Sequence, residues 1–407
     1  MKQKISQIKI HFPMILIIFS MCLVILNLAN CVRHIYIYGI PASDFQWIWK
    51  ECACALKGID VATAIRESRI IDGIGAMPPT IATVPWGRIL GNVIHAGFLP
   101  EKLAFIYGVF IYAISIIFAW YIVTKKMVEN NFLSRINTIV LCMLILLGSF
   151  YLVDDITFMN NGFMISFLVL LAMMSADEHE YIAGFLLAIA MLKPQIALLF
   201  YITLLLKKKY RTIISSGIWC LISWTIYLLY VGGNPINQLM ELLQQSGDKA
   251  AGFIWFGYWD FLTRFGVSGT IAMFCSMIMG IAVTGALSFY LIKKGFRNDM
   301  IIMCSVPAMI STGWCYKSTS DWIILCFPLL IIFYLLKYAD INFKTIACSS
   351  LFLLLMEVKV FSGGVRRILG YEWLVGVSLD AWIRLIVYTG ILLYVVQKYF
   401  ILSKEKR

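Results

Sequence analysis

Acidic residues, histidine and proline are scarce in this chain. Of 407 residues only 22 are Asp or Glu, four are His and ten are Pro. Four scattered histidines give no zinc-ligand set. The eleven cysteines lie mostly inside apolar runs, and Cys52 and Cys54 form C-x-C, not a metal-binding C-x-x-C. Charged residues make up only 14% of the chain, against 61% hydrophobic residues and a mean hydropathy of +0.85. That balance excludes a soluble domain. Short alternating segments are missing too, so a β-barrel is not indicated. No internal repeat, low-complexity linker or separate soluble domain is evident, and the inverted-repeat signature of many transporters is absent.

What is present is a series of apolar runs from end to end, the pattern of a polytopic helical membrane protein. The runs predict about twelve membrane segments, at 12–30, 103–124, 136–153, 162–175, 181–193, 194–206, 212–231, 269–292, 300–315, 322–337, 344–361 and 381–401. The first, after Lys2, Lys4 and Lys9, is read as an uncleaved span, because no small-residue cleavage site follows it. The net charge of +12 gathers in short clusters between runs, which is membrane orientation and not a nucleic-acid stripe. Lys125, Lys126 and Arg135, then Lys207–Lys209 and Arg211, Lys293, Lys294 and Arg297, Lys337 and Lys344, and the C-terminal Lys404, Lys406 and Arg407 mark one side as cytoplasmic. Both termini lie on that side, and 31–102 forms a large external loop.

Parity singles out 181–206. A single crossing would put the Lys207–Arg211 cluster outside. Inside the segment stands Lys193-Pro194-Gln195, where Pro194 removes a backbone donor and disfavours helix at Lys193. Two half-helices forming a re-entrant pair, with Lys193 at the turn, restore parity; a kinked span with 162–175 too short to cross is the alternative. Lys193 reads as the only ionisable residue well inside a hydrophobic core, and such a residue is a functional candidate. A buried cation at a broken-helix turn suits a phosphate, with the N-terminus after Pro194 adding its positive end. Snorkelling, or pairing with Asp154 or Asp155, is the structural alternative.

The external loop opens on Pro41-Ala42-Ser43-Asp44-Phe45-Gln46-Trp47. Asp44 sits just outside the first span among aromatics and is a candidate general base; its other reading is the cap of a helix starting at Phe45. The loop predicts a helix from about Asp44 to Leu56, a turn at Gly58, a polar stretch to Gly75, Pro78-Pro79, and a second helix over 83–96, with Trp47 and Trp86 able to lie at the interface. Further external cations are Arg264, Lys317, Arg366 and Arg367, the last two beside Gly363-Gly364 and suited to grip a phosphodiester. The aromatic stretch 253–261, with Trp259, could stack on a sugar or lie against lipid. Asn160 and Asn161 offer neutral partners for hydroxyls, or cap the span that follows.

These features together resemble a family. Ser43-Asp44-Phe45 in the first loop leads to an aromatic-rich helix ending at Leu56-Lys57-Gly58, then Pro78-Pro79 and Pro85. Asn160-Asn161-Gly162 opens a short span, Ala183-Gly184-Phe185 leads into Lys193-Pro194-Gln195, and Ser320-Asp321-Trp322 precedes Phe327-Pro328. The arrangement, over at least residues 12–337, resembles the GT-C superfamily of integral-membrane glycosyltransferases and most closely glycosyltransferase family 87, the polyprenyl-phosphate-mannose-dependent α-mannosyltransferases. Departures are the absent Gly-Gln pair and the missing aromatic after Gly58.

The resemblance implies an all-α GT-C-like bundle, residues 1–407 forming one domain, in the bacterial inner membrane with its active site outside. It implies a polyprenyl-phosphate sugar donor, a glycan or glycolipid acceptor, and inverting transfer with Asp44 as base. Lys193, Arg366, Arg367, Lys317 and Arg264 are then donor-phosphate ligands, and Asn160, Asn161, Gln195, Trp47, Trp259 and Asp321 sugar or acceptor ligands. Cations of the protein stabilise the leaving phosphate, so the mechanism requires no cofactor, although a divalent metal stays open. A transporter or flippase for a lipid-linked saccharide leaves the Asp44 loop unexplained, and an O-antigen polymerase or ligase carries its large loop late in the chain.

Overall fold

The computed structural model describes residues 43–79, 81–241, 258, 260–263, 265–315, 319–355 and 379–405, with shorter pieces between 14 and 36. The expected first span, 12–30, is therefore described only in part, with helix over Ile17–Leu26.

The loop region comes first. Helix α1 (Ser43–Leu56) ends at Gly58, whose φ of +69° makes the turn. Helix α2 (Val61–Arg66) follows, then a two-stranded antiparallel hairpin of β1 (Ile70–Ile71) and β2 (Gly75–Ala76). These occupy the stretch the sequence showed only as polar, since two-residue strands carry no alternation to read. The helix expected over 83–96 is instead two short turns, α3 (Gly87–Leu90) and α4 (Asn92–His95), meeting at Gly91. A Cβ on Gly91 would come 2.9 Å from Cys52 Sγ and 3.3 Å from Leu192, so the small residue lets this segment lie flat between α1 and the bundle.

The bundle then runs α5 (Glu101–Glu129), α6 (Arg135–Leu147), α7 (Phe150–Phe158), α8 (Gly162–Ser175), α9 (Glu180–Ala190), α10 (Pro194–Leu206), α11 (Tyr210–Val231), α12 (Asp260–Thr263), α13 (Gly269–Lys293) and α14 (Met300–Ser311). A 3₁₀ turn (Thr319–Leu325), α15 (Cys326–Leu329), α16 (Ile331–Tyr338), α17 (Ile341–Leu355) and α18 (Leu379–Glu405) complete it. The expected segment 136–153 is thus broken at Gly148-Ser149, where Ser149 is extended.

Among the described residues four helices are long and apolar enough to cross a membrane: α5, α11, α13 and Trp382–Ile401 of α18. Their faces are inverted relative to a soluble bundle. On α11 and α13 the buried stripe is small and polar, Thr212, Ser215, Ser216 and Ser223 on one and Ser276, Gly280, Thr284 and Ser288 on the other. Ile214, Ile218, Leu221 and Leu229, and Ile271, Phe274, Ile278 and Phe289, point outward. Small residues let helices approach closely in a solvent as apolar as leucine. At Gly184 of α9 a Cβ would lie 2.5 Å from that of Ser215, which is how tightly α9 meets α11.

The inner helices are short. α8, α9, α10 and α14 have 14, 11, 13 and 12 residues, roughly 17–21 Å at 1.5 Å per residue, less than a hydrocarbon core of about 30 Å. α9 and α10 are separated by the break at Met191–Lys193, with Pro194 at the first position of α10. Their far ends meet: Lys209 and Lys207 lie 2.9 and 3.5 Å from Asp177, and Lys209 and Arg211 lie 3.9 and 3.8 Å from Glu180. The chain runs out along α9 and returns along α10, so the two helices form a hairpin with Lys193 at its tip. The tip is pinned from both sides, by the Trp86 indole donating to Met191 O (3.1 Å) and the Trp314 indole donating to Gln195 O (2.8 Å). These tryptophans supply backbone partners at a break inside the bundle, where water would not. The same end as Asp177 gathers other basic groups, with Arg297 donating to Lys207 O at 2.7 Å.

Single cysteines introduced at Glu178 and at Lys208 should therefore react with a membrane-impermeant maleimide from the same side. Labelling from opposite sides would show that α9 and α10 together cross once.

Candidate active site

The site forms where the short helices end. α1 begins at Ser43, so Asp44 stands in its first turn, where the helix dipole favours a carboxylate. Phe45 seats α1: it is fully buried, edge-on to Phe105 at 5.7 Å, and a Cβ at Gly108 of α5 would reach within 2.5 Å of its ring.

The partner of Asp44 comes from the elbow between α7 and α8. Met159 there is left-handed (φ 48°), and the Asn160 N–H returns to Asp155 O at 2.9 Å. Asp155 then caps α8, accepting from the Gly162 and Phe163 N–H groups at 2.9 and 3.0 Å and from the Tyr112 hydroxyl. On this elbow the Asn160 amide has two partners. Its Nδ2 donates to Asp44 Oδ2, and its Oδ1 accepts from Lys193 Nζ. An ammonium only donates, so the orientation of the amide is fixed.

Lys193 is the cap residue of α10, where a positive charge opposes the helix dipole. The opposing charge is Asp321 on the 3₁₀ turn, whose Oδ1 is 2.5 Å from Lys193 Nζ. The Lys193 side chain is 12% exposed and that of Asp321 2%, so the pair is largely out of water. Gln195 Nε2 donates to the other Asp321 oxygen at 3.5 Å. Asp44, Asn160, Lys193, Asp321 and Gln195, five residues from four separate stretches, thus form one hydrogen-bonded chain. Lys193 is paired with Asp321; of the two acids weighed from the sequence, Asp155 is engaged elsewhere and the side chain of Asp154 lies outside the described residues. Asp155 is near enough to feel the Lys193 charge but serves as the α8 cap.

Asn161 turns away from this chain and is hydrogen-bonded at 2.5 Å to Nε2 of His95, the last residue of α4. Trp47 lies partly exposed on α1, three residues from Asp44 and so on the same helical face. Arg264, Lys317, Arg366, Arg367 and Trp259 lie outside the described residues.

Two groups were missed by sequence reasoning. His95 was passed over as one polar residue of a loop helix, and no local motif marks it. Arg384 corrects the reading of Lys193 as the only ionisable residue well inside the core. It is 2% exposed on α18, and its guanidinium donates to the Tyr151 hydroxyl at 2.8 Å. An arginine in the predicted run 381–401 was the available signal.

The model of glycosyltransferase family 87 matches residues 93–312, more than half of the chain. Asn160, Asn161, Lys193 and Gln195 fall inside the match; Asp44 and Asp321 flank it. No curated protein and no solved structure matches the chain.

His95 also carries a pH prediction. Burial, and then the Lys193 charge, push its imidazole down to about 3. Between about pH 6.5 and 3 the unfolded chain binds a proton that the folded one does not, so stability rises with pH there, by up to about 1.4 kcal/mol per unit. The melting temperature should therefore drop on going from pH 7 to 5, before most carboxylates titrate. His95→Gln should flatten that drop, and an equal drop in both proteins would place the acid sensitivity elsewhere.

Proposed function

The chain belongs to glycosyltransferase family 87 and is a glycosyltransferase; from that premise we propose that it moves a hexose, mannose, from a polyprenyl-phosphate sugar to a hydroxyl of an envelope glycan or glycolipid. The observation that carries this reading is that Asp44 and Lys193 are hydrogen-bonded to opposite ends of one amide, that of Asn160. A base and a cation are thereby held on two sides of a single small side chain. Displacement at an anomeric carbon needs that layout.

The acceptor hydroxyl oxygen bonds to the anomeric carbon as its proton passes to Asp44. The bond from that carbon to the phosphate oxygen breaks, and its electron pair leaves with the phosphate. Attack and departure are on opposite faces, so the configuration inverts, the logic of an inverting glycosidase with the water replaced by an alcohol. The leaving phosphomonoester gains negative charge as it departs. Lys193 has three N–H donors, and Asn160 and Asp321 take two; the third is directed to a phosphate oxygen, strengthened by the N-terminus of α10. Arg264, Lys317, Arg366 and Arg367 are the further phosphate ligands of this reading, and Trp47, Trp259, Gln195 and Asp321 its sugar and acceptor ligands; the buried Asn161 amide, expected among them, is taken up by His95 instead.

In this reading about twelve segments form a GT-C-like bundle in the bacterial inner membrane, with the termini in the cytoplasm. The basic clusters beside Asp177 mark the cytoplasmic end, and Asp44 faces the outer side. The prenyl tail lies among apolar helices, each buried CH₂ contributing about 0.8 kcal/mol.

Asp44→Asn should lower kcat for transfer from a polyprenyl-phosphate mannose by about 10²–10⁴-fold with an unchanged melting temperature. An active variant removes the base assignment. Lys193→Ala should lower kcat/KM by about 10²–10³-fold, and a neutral effect would leave that side chain a purely structural role. Because Lys193 provides the positive charge, transfer should survive EDTA; its loss, restored by a divalent ion, would overturn that part of the mechanism.

A further inference from the structure

The chemistry above makes no use of His95, which nevertheless lies against it. Its ring is fully buried. Its backbone is fixed at the end of α4, with the N–H returning to Gly91 O at 2.8 Å and Ala96 left-handed beyond it. One face of the ring packs on Phe45 at 4.9 Å between centroids, and Nε2 is hydrogen-bonded to Asn161. Phe45 follows Asp44, and Asn161 follows Asn160. The contact Phe45–His95–Asn161 therefore runs parallel to the Asp44–Asn160 hydrogen bond, one residue along on each strand of the chain.

We infer that His95 is a positioning residue: it braces α1 against the α7–α8 elbow, and so fixes the Asp44 carboxylate on the Asn160 amide. One bond between two side chains leaves rotation free; a second, parallel strut removes it. Errors of about 1 Å in the placement of reacting groups cost on the order of 10²-fold in rate.

The polar character of the strut supports a role beyond packing. Nδ1 of His95 and Oδ1 of Asn161 are buried and without partners among the described residues. Each orphaned polar atom costs about 1–3 kcal/mol, and a matched pair of apolar side chains at positions 95 and 161 would fill the slot without that cost. Stability alone thus does not call for an imidazole at this position. Proton transfer is not its task either, since the ring is sealed from solvent and Asn161, its hydrogen-bond partner, is no acid or base.

The inference rests on Asp44 as base, so Asp44→Asn is measured beside the His95 variants. His95→Leu, which leaves the buried Asn161 amide without its partner, should melt somewhat lower than the parent yet, assayed at a temperature where it is fully folded, lose at least about tenfold in kcat with donor KM changed less than about threefold, the signature of an interaction felt in the transition state. His95→Gln, which presents a side-chain oxygen to Asn161, should regain most of that loss and leave the pH dependence of kcat unmoved. Asn161→Ala should match His95→Leu, and the double variant should lose no more than either single one. A His95→Leu enzyme with parental kcat, losses that add in the double variant, or a pH limb that vanishes in His95→Gln would each overturn the positioning role. If His95→Leu does not fold, Asn161→Ala and its combination with His95→Gln decide by the same additivity. An active Asp44→Asn would sink the base assignment; an inactive one beside an unimpaired His95→Leu would sink only the strut.

Discussion

A carboxylate and an ammonium left within reach of one another in a dry site collapse into an ion pair, and each is then spent on the other. The Asn160 amide prevents this. It satisfies Asp44 with a donor and Lys193 with an acceptor while keeping them apart. A neutral amide does so without adding charge, which an aspartate or lysine at the same place could not. Charge balance for Lys193 comes from the opposite side, from Asp321. Asp44, held on the far side of the amide, is therefore not the acid that neutralises the cation.

The rest of the fold holds this spacing. Long helices with apolar outer faces and small polar inner stripes build the wall. Short helices inside it stop at one level, and their ends carry Asn160, Lys193 and Asp321. The loop region is fastened down over them. Glu51 of α1 accepts from the Ala82 and Thr83 N–H groups at 2.5 and 2.9 Å. The Arg88 guanidinium donates to the Tyr227 hydroxyl of α11 at 2.6 Å. Asp44 thus sits on a helix braced against the bundle, and rigid placement of its carboxylate follows from that.

Much of this was legible in the chain. The all-helical membrane character follows from hydropathy alone. The break at Lys193-Pro194 could be read because proline has no donor and restricts the residue before it; the hairpin that results brings Asp177 against Lys207 and Lys209. Asp44, Asn160, Lys193, Gln195 and Asp321 could each be nominated by residue type and place. Their connection could not, because the Asp44–Asn160 and Lys193–Asp321 contacts span 116 and 128 residues and no local pattern encodes them. His95 was invisible for the same reason: its partners, Asn161 and Phe45, are remote in sequence, and a histidine in an amphipathic stretch looks like any solvent-facing one. Arg384 was hidden by its position near the end of an apolar run, where an arginine ordinarily reaches out to the headgroups.

The α9–α10 hairpin also constrains how the molecule is made. Burying the cation at its tip is costly without a counter-charge. That counter-charge, Asp321, leaves the ribosome 128 residues later. Until then the tip has no lasting reason to stay buried. The chain of side chains from Asp44 to Asp321 therefore closes late, only when the C-terminal helices arrive, and a nascent chain stopped short of Asp321 would hold its hairpin loosely.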